Sequence, residues 1–193
     1  MARSITERLA TQKQKIYIRR GLLAGLVFLV AMAQNVPWLP GIFGVLPLPL
    51  IPLVVCIAVL DQEVPGILFG AFAGILWDFS SAGFAWHALY LTFAAFVCAM
   101  LMRYVINRNR LTITLLMLFF TFGYVTLHWV FDQLLPYFNN AQPFNPYEGM
   151  LFTYLRYCLP SVGYTMLLAP VCYGLTYWII KRTSRKQRAV YAK

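Results

Sequence analysis

Six apolar runs alternate along the chain with short stretches that are polar, proline-rich or cationic. They cover about residues 21–35, 42–60, 64–80, 84–102, 111–131 and 157–180. A spanning helix needs roughly 20 residues, so the pattern predicts an all-α integral membrane protein of six transmembrane helices. A basic flank at 1–20 precedes the membrane domain at 21–180, and a basic tail at 181–193 follows it. The one long connection, 132–156, holds Asn139-Asn140, Pro143 and Pro146. Within it, Asn145-Pro146-Tyr147-Glu148 reads as a helix start: an N-cap, a proline at the first position and an acid at the third. The helix it opens is expected to lie along the outer surface.

The stretch at 63–103 organises the rest. Gly66, Gly70 and Gly74 recur every four residues and share one helix face. Without side chains there, another helix can approach closely, which is how helices pack in lipid. Asp78 is one more step of four along that line. A carboxylate is costly in hydrocarbon, and near a helix C-terminus the dipole disfavours it as well. It is therefore expected to be a buried anchor, hydrogen-bonded to His87, to the serines of the Ser80–Gly83 turn or to the irregular second span. Its role is then to position structure and partner. Pro47, Pro49 and Pro52 crowd the start of that second span, so its outer end is expected to be irregular. Such backbone survives at membrane depth only inside protein or beside a wet cavity. Asp61 and Glu63 precede the third span, where a helix N-terminus favours negative charge. Pro160 and Pro170 are expected to interrupt the sixth.

Composition agrees with this class: 61% of residues are hydrophobic and only 11% charged, at a mean hydropathy of +0.67. The net charge of +10 does not call for nucleic acid, because the cations flank the spans. With the N-terminus inside, fifteen of the sixteen Lys and Arg fall on the inner side, and only Arg156 falls outside. The positive-inside rule thus predicts both termini in the cytoplasm, with anionic lipids as partners of the basic ends. Trp38, Trp77, Trp86 and Trp129 cluster toward the outer interface and Trp178 toward the inner one, as an aromatic belt would. Ala31-Met32-Ala33 resembles a signal-peptidase site, but the basic region before it is long for a signal peptide, so the first span is expected to stay. The four cysteines, Cys56, Cys98, Cys158 and Cys172, have no CxxC spacing and read as small buried hydrophobes. No cofactor or metal site is expected. Ser80 or Ser81 with His87 and Asp78 would make the residue set of a hydrolytic triad. Serines capping a turn, with His87 as an interfacial donor, is the reading preferred here.

Gly70, Gly74 and Asp78, followed by Gly83 and an apolar helix ending in Arg103, resemble the signature stretch of the rod-shape-determining MreD family of bacteria. Pro47 matches a proline of that family at the start of the second span, and Pro170 fits its closing helix. By span pattern the resemblance covers nearly the whole chain, and by motif about 63–103. The proline-rich second span and the long basic flank depart from a typical member. The resemblance implies a fold similar to the substrate-binding components of energy-coupling-factor transporters. It also implies a non-enzymatic membrane scaffold in the bacterial inner membrane. Such a scaffold binds the bitopic protein MreC and, indirectly, the cell-wall polymerase and transpeptidase complex. The alternative is a substrate-binding subunit of a vitamin-type transporter, whose mark would be an enclosed pocket with convergent polar groups. Asp78, His87, His128 and Asp132 are the candidates for it. A membrane acyltransferase ranks third.

Overall fold

In the computed structural model, residues 2–35, 45–61, 63–81, 86–104, 109–138 and 150–191 are described. Side chains are described over a narrower set: 14–35, 45–61, 66–81, 86–104, 109–132, 154–156 and 158–183. The described chain is nearly all helical. Its elements are α1 (Ala2–Asn35), α2 (Leu50–Leu60), α3 (Glu63–Ser80), α4 (His87–Tyr104), α5 (Arg110–Phe138) and α6 (Met150–Tyr191). Four segments are long and apolar enough to cross a membrane: Gln14–Asn35, His87–Tyr104, Arg110–Asp132 and Tyr154–Thr183. Leu50–Leu60 and Gly66–Ser80 are shorter apolar helices. The chain is a multi-pass membrane protein of the all-α class.

α2 is the axis of the bundle. It touches each of the other five helices, which close a ring around it in the order α1, α3, α4, α5, α6. Ten of its eleven residues are buried, from Leu50 to Val59. A helix enclosed by five others needs no polar face, and the sequence LIPLVVCIAVL has none. The remaining five turn large apolar side chains outward, among them Phe79, Leu89, Leu111, Phe119 and Leu167. In lipid such a surface is as well solvated as the core.

Cross-contacts give the helix directions. Gln34 at the end of α1 accepts from the N–H of Leu50 at the start of α2. Arg19, earlier in α1, pairs with Asp61 at the far end of α2. Gly66 of α3 lies on Ala58, and Gly74 on Ala88 of α4. Tyr90 of α4 donates to the carbonyl of Phe120 in α5, and Thr126 of α5 bonds Tyr154 of α6. Each helix therefore runs antiparallel to the one before it. One end of the bundle carries Arg19 and Asp61, the other Asp78, Trp86 and Asp132.

Several expectations need correction. The second span is not a helix over 42–60: the helix is Leu50–Leu60, and residues 45–48 are not helical. Eleven residues rise about 16 Å, roughly half the hydrocarbon thickness. The non-helical lead-in contains Pro47, which is buried. Its free N–H groups find side chains, Leu48 N–H donating to Thr165 Oγ1 at 3.0 Å and Leu50 N–H to Gln34 Oε1 at 3.2 Å. The irregular backbone is therefore buried in protein, the condition for its survival. Pro160 and Pro170 do not interrupt the last helix, because α6 runs through both. Residues 150–156 are its first turns rather than a separate surface helix, while Asn145–Glu148 and Trp38 lie outside the described residues. α1 begins at Ala2, so much of the basic flank is helix continuous with the first span. Arg19 is not a solvated cation: it is 2.8 Å from Asp61, with side-chain exposures of 16% and 1%. Asp61 is matched by this guanidinium rather than by the start of α3. The side chain of Glu63 is outside the described set.

Candidate functional site

The site grows from the contact between α3 and α4, the most extensive in the bundle. A Cβ on Gly66 would stand 2.7 Å from Ala58 Cα of α2. One on Gly70 would meet Leu91 O at 2.7 Å and Ala95 Cβ at 2.8 Å, both on α4. One on Gly74 would overlap Ala88 Cα and stand 2.6 Å from Ala88 N. These distances are shorter than real Cβ contacts, so the three positions are closed to any side chain. The glycine line thus faces two helices, α2 at one end and α4 along the rest. Gly83 lies outside the described residues.

This approach brings Asp78, in the last turn of α3, onto the first turn of α4. Its Oδ1 accepts the His87 N–H at 3.0 Å and faces His87 Nδ1 at 2.6 Å. Its Oδ2 accepts the Ala88 N–H at 3.0 Å. The first N–H groups of a helix have no partner within it. Here a carboxylate from another helix supplies the cap. The penalty expected at the C-terminal end of α3 is offset, because the N-terminus of α4 offers the opposite sign. The turn serines take no part in this. Ser80 Oγ and Ser81 Oγ donate to the Trp77 carbonyl at 2.8 and 3.0 Å, satisfying the end of α3. Of the anticipated donors to Asp78, the described residues supply His87, and Ala88, which was not anticipated, supplies another. His87 is buried and stacks on Trp77 at 4.6 Å between centroids.

Around this clamp the aromatic side chains of α3, α4 and α5 form a continuous wall. Trp86 lies parallel to Tyr124 at 5.1 Å and 7°, and Trp77 is 5.0 Å from Tyr124. Backbone contact between α4 and α5 is the sparsest in the ring. Rings fill that joint, and the Tyr90 hydroxyl pins it at 2.6 Å from Phe120 O. Gly123 makes room for the pin, since a Cβ there would lie 3.1 Å from Tyr90 Oη.

Beside the wall is a cavity of about 630 Å³. It occupies the space left by the short α2. Val45 and Leu48 of the lead-in form one side, with Trp77 of α3, Ser81 just beyond it, Trp86 just before α4 and His87 at its first position. Tyr124, His128, Trp129 and Asp132 of α5 and Cys158 and Ser161 of α6 complete it. His128 Nδ1 is 2.8 Å from Asp132 Oδ2, at a rim where these side chains are 45% and 60% exposed. Three of the four polar candidates, His87, His128 and Asp132, therefore line one cavity. Asp78 stands behind His87 and does not line it. Sequence reasoning named these polar groups as pocket candidates under the transporter alternative but missed the aromatic wall. A signal was present in Tyr124, His128 and Asp132, spaced by four and therefore on one face of α5.

The four cysteines are buried and unpaired. Among the described residues, no group of three His, Cys, Asp or Glu side chains could hold a metal ion. No protein-family model matches the chain, and no curated protein or solved structure matches it.

Proposed function

We propose that the chain is a non-enzymatic scaffold of the MreD type in the bacterial inner membrane. In this reading six segments cross the membrane, the second as α2 with its irregular lead-in, and both termini lie inside. The outer end binds an MreC-like bitopic partner and through it the cell-wall polymerase and transpeptidase complex, in support of rod shape. The basic ends of α1 and α6 meet anionic lipids. The observation that carries the reading is the use made of Asp78. Both its oxygens are committed to the first turn of α4. An acid held this way fixes the angle between two helices. Gentle detergent extraction from a rod-shaped bacterium should bring down an MreC-like chain in stoichiometric amount. Recovery of a coupling ATPase module instead would overturn the proposal.

The cavity favours a second reading, a substrate-binding subunit of a vitamin-type transporter. Its volume falls within the range of small-molecule sites, and polar groups from α4 and α5 converge on it. The same extraction separates the two readings.

A further inference from the structure

We infer that the cavity between the lead-in to α2, α4, α5 and α6 is a binding site for a small, flat, positively charged nitrogen heteroaromatic. The inference goes beyond the scaffold reading and does not depend on it, since either class of protein could present such a site.

Three observations select this chemistry. The first is the wall. Trp86 and Tyr124 are parallel, and the rings of Phe131 and His128 lie 5.4 and 6.3 Å from Trp86. Trp86 and Tyr124 stack on each other, and with Trp77, Trp129 and Phe131 they make the lining aromatic, a surface that attracts a planar ring and a cation. The second is charge. Among the described lining residues there is no Lys or Arg, while Asp132 stands at the rim. An anion would find no counter-charge there, whereas a cation finds a carboxylate. The third is polarity. Ser81, Ser161 and the His128–Asp132 pair border the cavity. Ser81 and His128 already bond Trp77 and Asp132, but the hydroxyls and the second carboxylate oxygen keep acceptor capacity that a polar cationic ring can use and a hydrocarbon cannot. The site is also pre-formed, because the Asp78 clamp fixes the start of α4 next to Trp86. Little ordering entropy is then lost on binding.

The test uses the full-length protein in nanodiscs of zwitterionic lipid, with empty nanodiscs as the blank. Equilibrium dialysis compares 1-methylquinolinium, its anionic counterpart naphthalene-2-sulfonate, and tetraethylammonium, which is cationic but not flat. Saturable binding of 1-methylquinolinium is expected, with both other probes weaker. Asp132→Asn, at an exposed rim position, should weaken it about tenfold, the scale of one charged contact. Trp86→Leu should weaken it by about the same factor through lost stacking, provided thermal unfolding shows the variant folded. Equal binding of the sulfonate or of tetraethylammonium would overturn the inference. So would an unchanged affinity in Asp132→Asn, or no saturable binding of 1-methylquinolinium to the unmodified chain.

Discussion

At the scale of single residues, Asp78 is held from several sides. Three donors converge on its two oxygens, two from the backbone of α4 and one from the imidazole of His87. Alanine would leave all three unpaired, and each buried unsatisfied group costs about 1–3 kcal/mol. Asparagine keeps one acceptor oxygen, but it turns an NH2 group toward the remaining donor and removes the charge that favours the helix N-terminus. The expected order of thermal stability in detergent is Asp78, then Asp78→Asn, then Asp78→Ala, with partner recovery following it. If Asn and Ala proved equally inactive while both stayed folded and bound partner, the charge itself would be the working part. The scaffold reading would then give way to a proton- or substrate-handling one.

At the scale of elements, α3 and α4 behave as a welded pair. The weld has two parts, the glycine contact along the helices and the carboxylate cap at their end. Gly74→Leu should sharply lower folded yield, because its side chain would have to pass through the backbone of α4 at Ala88. Gly163 in α6 has nothing near the position of an added Cβ. Gly163→Ala should be tolerated, or stabilising by up to about 1 kcal/mol through helix propensity. Fluorescence-detected size exclusion of the two variants makes the comparison. Normal yield for Gly74→Leu would mean that α3 and α4 do not meet along this line.

At the scale of the whole molecule, a short central helix inside a ring of five explains both the core and the cavity. α2 fills about half the bundle, and its irregular lead-in leaves room for aromatic side chains at the other half. Both basic segments follow from the alternating helix directions onto the end that carries Arg19 and Asp61. Cysteine substitution tests the membrane orientation of that end. The native cysteines are buried, so they contribute little background. Under the proposed topology Asn140→Cys should react with an impermeant reagent on intact cells, and Lys186→Cys should not. Reaction at position 186 would reverse the orientation and with it the assignment of the cavity to the outer face.

The all-helical membrane class was legible in the lengths and composition of the apolar runs. So was the close-packing face of α3, because glycines four apart share a face in any α-helix. Asp78 was recognisable as an anchor from its place on that face, and the three prolines announced that the second span would start irregularly. These are local properties, set by periodicity and backbone chemistry within one segment. What covers each face is not local. Only the tertiary structure shows that Gly66 meets α2 while Gly70 and Gly74 meet α4. It also decides that Asp78 takes its donors from α4 rather than from the serines beside it. Asp61, which by sequence suited the start of α3, found Arg19 of α1, forty-two positions earlier. The cavity exists because an apolar run long enough to span forms only eleven residues of helix. Five helices surround that helix, and the N–H groups of Leu48 and Leu50 donate to the side chains of Thr165 and Gln34. Thr165 is 117 positions from Leu48, and Gln34 is 16 from Leu50.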